Sequence, residues 1–135
     1  MFGGKSEDAG KAYRIGKQVI AESELKIQIP YKGDMFTLKY PTPILRTMIE
    51  TEIARRLGGY ARSSYTTEHL SLVEACATID LLMIPEECPN WFLPWECLDE
   101  ALIAALYDGY FRFRDQLRER LRSTGPESGS KGGGT

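Results

Sequence analysis

The soft metal ligands and nucleophiles of this sequence are few: Cys76, Cys88, Cys97 and one histidine, His69. Structural zinc draws on paired ligands such as Cys-x-x-Cys, and no such pair occurs. A site of three Cys and one His would use every candidate at irregular spacing, so no metal is expected. An odd cysteine count without close pairs is also a poor disulfide framework. Cys76, inside Leu72-Val73-Glu74-Ala75-Cys76-Ala77, reads as a small core residue. Cys88 and Cys97 flank a loop rich in proline and tryptophan and read as reduced thiols. A Cys–His dyad would have to use His69, which sits near a helix start with no evident carboxylate to orient its ring. Gly4-Lys5-Ser6 looks like the end of a phosphate-binding loop, but the earlier glycine and the preceding strand are both missing. No Gly-x-Ser-x-Gly occurs. Glu86-Glu87 and Asp99-Glu100 are neighbours along the chain, do not face one another, and read as solvated charges. With no converging constellation, the expectation is a protein that is not an enzyme and takes no cofactor.

Tyr107, Tyr110, Phe111 and Phe113 interleave with Arg112 and Arg114, as on a stacking platform for single-stranded nucleic acid. Their helical spacing suits a core face better, and Asp108, Asp115 and Glu119 dilute the charge. The whole chain has 17 Lys and Arg against 19 Asp and Glu, a net charge of -2. Nothing there makes a basic field, so nucleic acid is not an expected partner.

The stretch from 80 to 100 is more telling. Asp80, Glu86, Glu87, Glu96, Asp99 and Glu100 are all acidic, with no Lys or Arg between them. Among them lie Pro89, Trp91, Phe92, Pro94 and Trp95. Apolar rings in an acidic field can grip a basic amphipathic helix, the rings as anchors and the charge as complement. In the other reading, Trp91, Phe92 and Trp95 close the bottom of a helical core and the acids keep it soluble. The two readings stand side by side at this stage. The candidate partner-binding residues are Trp91, Phe92 and Trp95 as anchors, with Glu86, Glu87 and Glu96 as steering charges.

The elements that must hold this loop follow from periodicity. The 135 residues are 42% apolar, enough for one core and one domain. No apolar run reaches the roughly 18 residues of a membrane span. Residues 1–8 lack the apolar stretch of a secretory signal. The expectation is a soluble, cytosolic chain with no membrane partner. Residues 1–23 are weakly patterned and read as a flexible arm; Ala12 to Ala21 offers at most a short helix, weakened by Gly16. Leu25, Ile27 and Ile29 alternate with polar residues, as do Phe36, Leu38 and Tyr40 beyond Gly33-Asp34, which predicts a β-hairpin over 25–40. Such a hairpin is marginal alone, so it must pack on the helices, join a sheet in another subunit, or both.

Thr42 and Pro43 open a helix over 43–57, with Leu45, Ile49 and Ile53 on one side and Gly58-Gly59 as its stop. Thr66 or Thr67 caps a second helix over 67–83, ended by Pro85, with Leu70, Val73, Ala77, Leu81 and Leu82 as its broad apolar face and Leu72 and Ile79 among the expected core positions. A third, over 96–122, carries the stripe Leu98, Leu102, Leu106, Tyr110, Phe113, Leu117 and Leu121, with acids at its start and Arg118, Arg120 and Arg122 at its end. From Ser123 the composition is that of a disordered tail, 123–135. The predicted fold class is α+β, mainly α: an N-terminal β-hairpin followed by a three-helix bundle, one domain over 24–122, with disordered termini.

This order of elements resembles a known family. Phe36-Thr37-Leu38-Lys39-Tyr40-Pro41-Thr42-Pro43 leads into a helix that stops at Gly58-Gly59. Leu72-Val73-Glu74-Ala75-Cys76-Ala77-Thr78-Ile79-Asp80, Pro89-Asn90-Trp91-Phe92 and Leu106-Tyr107-Asp108-Gly109-Tyr110-Phe111-Arg112-Phe113 follow. Over about residues 35–122 the chain resembles the small tail assembly chaperones of long-tailed bacteriophages. The resemblance implies a non-catalytic protein of the host cytoplasm that binds the tape measure protein and keeps it soluble. It would work while the tail tube protein assembles around that client and be absent from the virion. The alternative is a structural virion protein of the head–tail connector or tail terminator type, with the hairpin in an intersubunit sheet and the chain a homo-oligomer.

Overall fold

In a computed structural model of the chain, residues 12–15 and 17–124 are described. Two antiparallel hairpins precede three helices: β1 (Ala12–Ile15) with β2 (Gln18–Ala21), and β3 (Lys26–Tyr31) with β4 (Asp34–Lys39). The helices are α1 (Pro43–Arg56), α2 (Thr67–Leu82) and α3 (Glu100–Thr124). This is the mainly-α α+β class that the periodicity predicts. The first hairpin is not. Ala12 to Ala21 forms two paired strands where the expected arm offered at most a short helix. The signal is thin: a four-residue strand is too short to display alternation, and among its described side chains only Ile20 is buried. The rest of the arm, residues 1–11, and the tail from 125 lie outside the described residues.

The β3–β4 register follows the alternation. Ile27 pairs with Leu38 and Ile29 with Phe36, so all four point to one face. Lys32 and Gly33 form the two-residue turn with φ of 49° and 87°. Positive φ at both positions is the type I′ turn, whose twist matches that of the strands. The apolar face packs on the helices: Phe36 is 1% exposed and Leu38 0%. The opposite face is not simply solvated, since Thr37 is buried as well. The chain after α2 runs back along β4, with Met83 bridged to Leu38 and the Ile84 N–H donating to the Thr37 carbonyl at 3.0 Å.

Capping chemistry sets the helix ends. Thr42 Oγ1 accepts from the Leu45 N–H at 3.3 Å at the start of α1, and Gly58 and Gly59, both at positive φ, end it. Thr66 Oγ1 accepts from the His69 N–H at 3.1 Å and opens α2. The third helix begins later than its stripe predicts. Asp99 Oδ1 accepts from the Leu102 N–H at 3.2 Å, so Asp99 is the cap and Glu100 the first helical residue. Pro94–Glu96 forms a separate 3₁₀ turn. Leu98, expected at the head of the stripe, is therefore outside the helix and 97% exposed. At the other end α3 runs two residues past the predicted stop, to Thr124.

The core joins Phe36 and Leu38 of the hairpin to Ile49 and Ile53 of α1, Ile79 and Leu82 of α2, and Leu102 and Leu106 of α3. Of the core positions read from the pattern, Ile49, Ile53, Ile79, Leu102, Leu106, Tyr110 and Phe113 are buried, while Leu45 and Leu72 are half-buried. Gly109 lets α3 lie close to β3. A Cβ there would stand 2.8 Å from Ile29 Cδ1. Arg62, in the connector, spans both neighbouring helices through ion pairs with Glu50 of α1, at 2.9 Å, and Glu74 of α2. Among the described residues no helix is long and apolar enough to cross a membrane.

Leu106 is fully buried at the centre of the core. Leu106→Asp is expected to unfold or aggregate the protein, because an unpaired buried carboxylate costs several kcal/mol. Thermal melting followed by circular dichroism checks this, and an unchanged melting temperature would show that the α3 stripe does not hold the core.

Candidate functional site: the acidic aromatic loop

The loop between α2 and α3 is tied at both ends and in its middle. Ile84 is bonded to β4, Asp99 caps α3, and between them Phe92 inserts into the core. Phe92 is 2% exposed; its ring meets Phe36 edge-on at 5.0 Å. This corrects one expected anchor. Phe92 cannot touch a partner, because the hairpin already occupies its face. Its neighbour Trp91 is 58% exposed, its ring edge-on to both Phe36 at 6.2 Å and Phe92 at 6.1 Å. One residue of the pair fixes the loop and the other is presented by it.

Trp95, the third expected anchor, is half-buried on another side. The Arg56 guanidinium lies 4.1 Å from its ring centre, a cation–π contact that covers the face a partner would need. Glu52 in turn holds Arg56 at 2.7 Å and Arg55 at 2.8 Å. These hydrogen bonds, from Arg55 first and then Arg56, bring the Glu52 carboxyl below the usual range. Burial pushes Asp80 in the opposite direction, and the charge of Glu52 adds to it. The indole N–H of Trp95 is buried and makes no hydrogen bond among the described residues, yet it lies near enough to Asp80 to pull back on that rise. Trp95 is therefore a bracket between the 3₁₀ turn and α1.

The acids also divide. Glu96 is exposed and lines a shallow groove of about 430 Å³ together with Trp91, Leu93, Leu98 and Asp99. Glu87 is turned toward the hairpin and pairs with Lys26 at 3.1 Å. Glu86 is exposed beside it on the Pro85–Glu87 turn and is not part of the groove. The structure thus brings together Trp91 and Glu96 of the predicted set, with Phe92 as the floor beneath them. Trp95, Glu86 and Glu87 stand apart from that group.

Two apolar residues that the sequence reading did not select complete the patch. Leu93 is 56% exposed and Leu98 97%. Their signal was the crowding of the segment itself. A short connector with Trp91, Phe92, Leu93, Trp95 and Leu98 carries more apolar surface than its neighbours can cover. Large side chains gathered in the open, beside Glu96 and Asp99, make a surface that can dock an apolar ridge flanked by cations.

The cysteines lie around this loop without forming a site. Cys76 is buried, its Sγ donating toward the Pro94 carbonyl at 3.5 Å, and Cys88 Sγ donates toward the Thr37 carbonyl at 3.6 Å. Burial pushes the Cys76 thiol up to about 11, helped by Cys97 and Asp80 nearby. Burial raises Cys88 too. His69 stacks on Tyr65 at 5.1 Å. Among the described residues, no group of three His, Cys, Asp or Glu side chains is arranged to hold a metal ion. No family model, curated protein or solved structure matches the chain.

Two outcomes are expected. With a thiol near 11, Cys76 is about one part in a thousand thiolate at pH 8, so iodoacetamide should label Cys97 well before Cys76 in the native protein, read by peptide mass spectrometry. Glu52→Gln should lower stability by under about 1 kcal/mol at neutral pH, since the pairs it breaks are near the surface. The Glu52 carboxyl is lowered in the folded chain, so its contribution is complete above the unfolded value and is lost as pH falls through the folded one. The two melting curves should therefore converge in acid; a gap that stays constant below the carboxylate range would contradict the pairing.

Proposed function

We propose that the protein is a non-catalytic tail assembly chaperone of a long-tailed bacteriophage. It binds the tape measure protein, keeps that client soluble while the tail tube protein polymerises around it, and acts in the host cytoplasm without entering the virion. The observation that carries this reading is the patch of Trp91, Leu93 and Leu98, three large apolar side chains left in solvent beside Glu96 and Asp99. A tape measure protein is a long helix whose apolar stripes are bare until the tube covers them. A holdase for such a client needs apolar anchors that do not aggregate with their own copies, and like charges beside them supply that repulsion. Contacts of this size are weak one at a time and gain strength when repeated along an extended client.

The rival reading, a connector or terminator subunit, has less support. It calls for a hairpin available to a neighbouring subunit. Here the apolar face of β3–β4 is spent on the protein's own helices, and the outer edge of β4 is partly filled by Met83 and Ile84.

Co-expression with the tape measure gene tests the proposal. The client should be soluble with the wild-type chain and insoluble with a Trp91→Ser, Leu98→Ser double variant whose melting temperature is unchanged. A client that stays equally soluble without this protein overturns the chaperone reading. Recovery of the protein in stoichiometric amount from purified particles by mass spectrometry turns it toward the connector class.

A further inference from the structure

A second surface, unrelated to the Trp91 patch, lies between α2 and α3. There residues of both helices line an open groove of about 700 Å³. Its floor is apolar. Leu72 of α2 and Tyr107 and Phe111 of α3 are only half-buried, and between them Ala75 and Ala104 keep the walls low. The Arg114 guanidinium lies 4.5 Å from the Phe111 ring centre and covers that end of the floor, so the groove proper is the stretch lined by Leu72, Ala75, Ala104 and Tyr107. The lining runs over residues 66–75 on one side and 100–111 on the other, about 15 Å, which is the length of roughly three helical turns.

Charge selects the occupant. Glu68 and Glu100 stand on the two walls, with Asp108 farther along α3 and Arg114, paired with Asp115 at 3.2 Å, over the Phe111 end. Asp108 is already held by Arg112. Glu68 and Glu100 have no ion-pair partner among the described residues. The one other ionisable group beside tyrosine is His69, at the mouth and stacked on Tyr65.

We propose that this groove is a docking site for a basic amphipathic α-helix of another protein. Apolar anchors at i, i+3 or i+4, and i+7 fill the floor over Ala75 and Ala104, and lysines or arginines flanking that stripe meet Glu68 and Glu100. An acidic helix is repelled by the same carboxylates. The basic end of α3 in a second copy is poorly suited to the role, because its apolar side, Phe113 and Leu117, is already buried. The inference goes beyond the chaperone reading and holds or falls independently of it, since Ala104 and Leu98 belong to different surfaces.

Fluorescence anisotropy of the full chain with a labelled Leu/Lys amphipathic helix of about fourteen residues, and with its Leu/Glu counterpart, tests the proposal. The Leu/Lys peptide should bind, more weakly as salt is raised, and the Leu/Glu peptide should not. Ala104 is exposed, so Ala104→Arg can fill the groove and offset part of its negative charge without disturbing the core. It should weaken binding by about tenfold or more with melting unchanged. Glu68→Gln should act in the same direction to a smaller extent, which keeps the test informative if Ala104→Arg fails to fold. The Trp91→Ser, Leu98→Ser variant should bind the peptide as the wild type does. Equal binding of the two peptides, or full binding by both groove variants, overturns the proposal. So does sedimentation showing a wild-type dimer that Ala104→Arg dissociates, which would make a second copy the occupant.

Discussion

A two-stranded ribbon is barely stable by itself in water, and β3–β4 escapes that limit by burying Phe36 and Leu38 among the helices. Most of what is distinctive about the molecule depends on this contact. The ribbon supplies one wall of the core, with α1, α2 and α3 the others. It also supplies the surface against which the α2–α3 loop is set, through the Phe36–Phe92 ring contact and the bond from Ile84 to Thr37. Trp91 is held out in solvent because Phe92, next to it, is held in. Without the hairpin the loop would have no floor, and its rings would be free to collapse on one another.

The charges are arranged as deliberately as the apolar groups. Glu96, Asp99 and Glu100 gather where α3 begins, and Arg118, Arg120 and Arg122 where it ends, each set complementing the dipole of a helix 25 residues long. The basic end is used within the fold: Arg118 donates to the Tyr40 hydroxyl at 3.4 Å and Arg120 pairs with Glu24 at 2.8 Å. The acidic end is not used in this way. Lys26 and Arg56 engage Glu87 and Trp95 at its borders, and Glu96 and Asp99 remain on the side of the exposed leucines. Around the loop Lys26 and Arg56 are committed to contacts within the fold while Glu96 faces outward beside the exposed leucines, which gives the loop its character.

Periodicity made the scaffold legible. Four- and three-residue spacing located the buried faces of α1, α2 and α3, and two-residue alternation located β3 and β4; the register, Ile27 to Leu38 and Ile29 to Phe36, is set by the turn at Lys32-Gly33, one residue before the Gly33-Asp34 that the pattern suggests. What escaped lies where period carries no information. The strands β1 and β2 are four residues each, too short for a pattern. The start of α3 was misplaced because Leu98 falls in phase with the stripe that follows it, while the decisive residue, Asp99, acts through one hydrogen bond that spacing does not encode. The same holds within the loop. Composition marked it as unusual, but which of Trp91, Phe92 and Trp95 faces solvent is decided by residues distant in sequence. Phe36 helps to bury Phe92, Arg56 covers Trp95, and Trp91, edge-on to Phe36, still keeps most of its surface in solvent.

The two indoles therefore sit in opposite optical environments. Trp91 is surrounded mainly by water, and Trp95 is sandwiched against a guanidinium with its N–H shielded. Excited by the same light, the first emits at longer wavelength and is open to collisional quenchers, and the second is sheltered from them. The molecule thus carries a native pair of reporters. Whatever settles over the loop must shift the red component alone, and whatever loosens the bracket to α1 must expose the other.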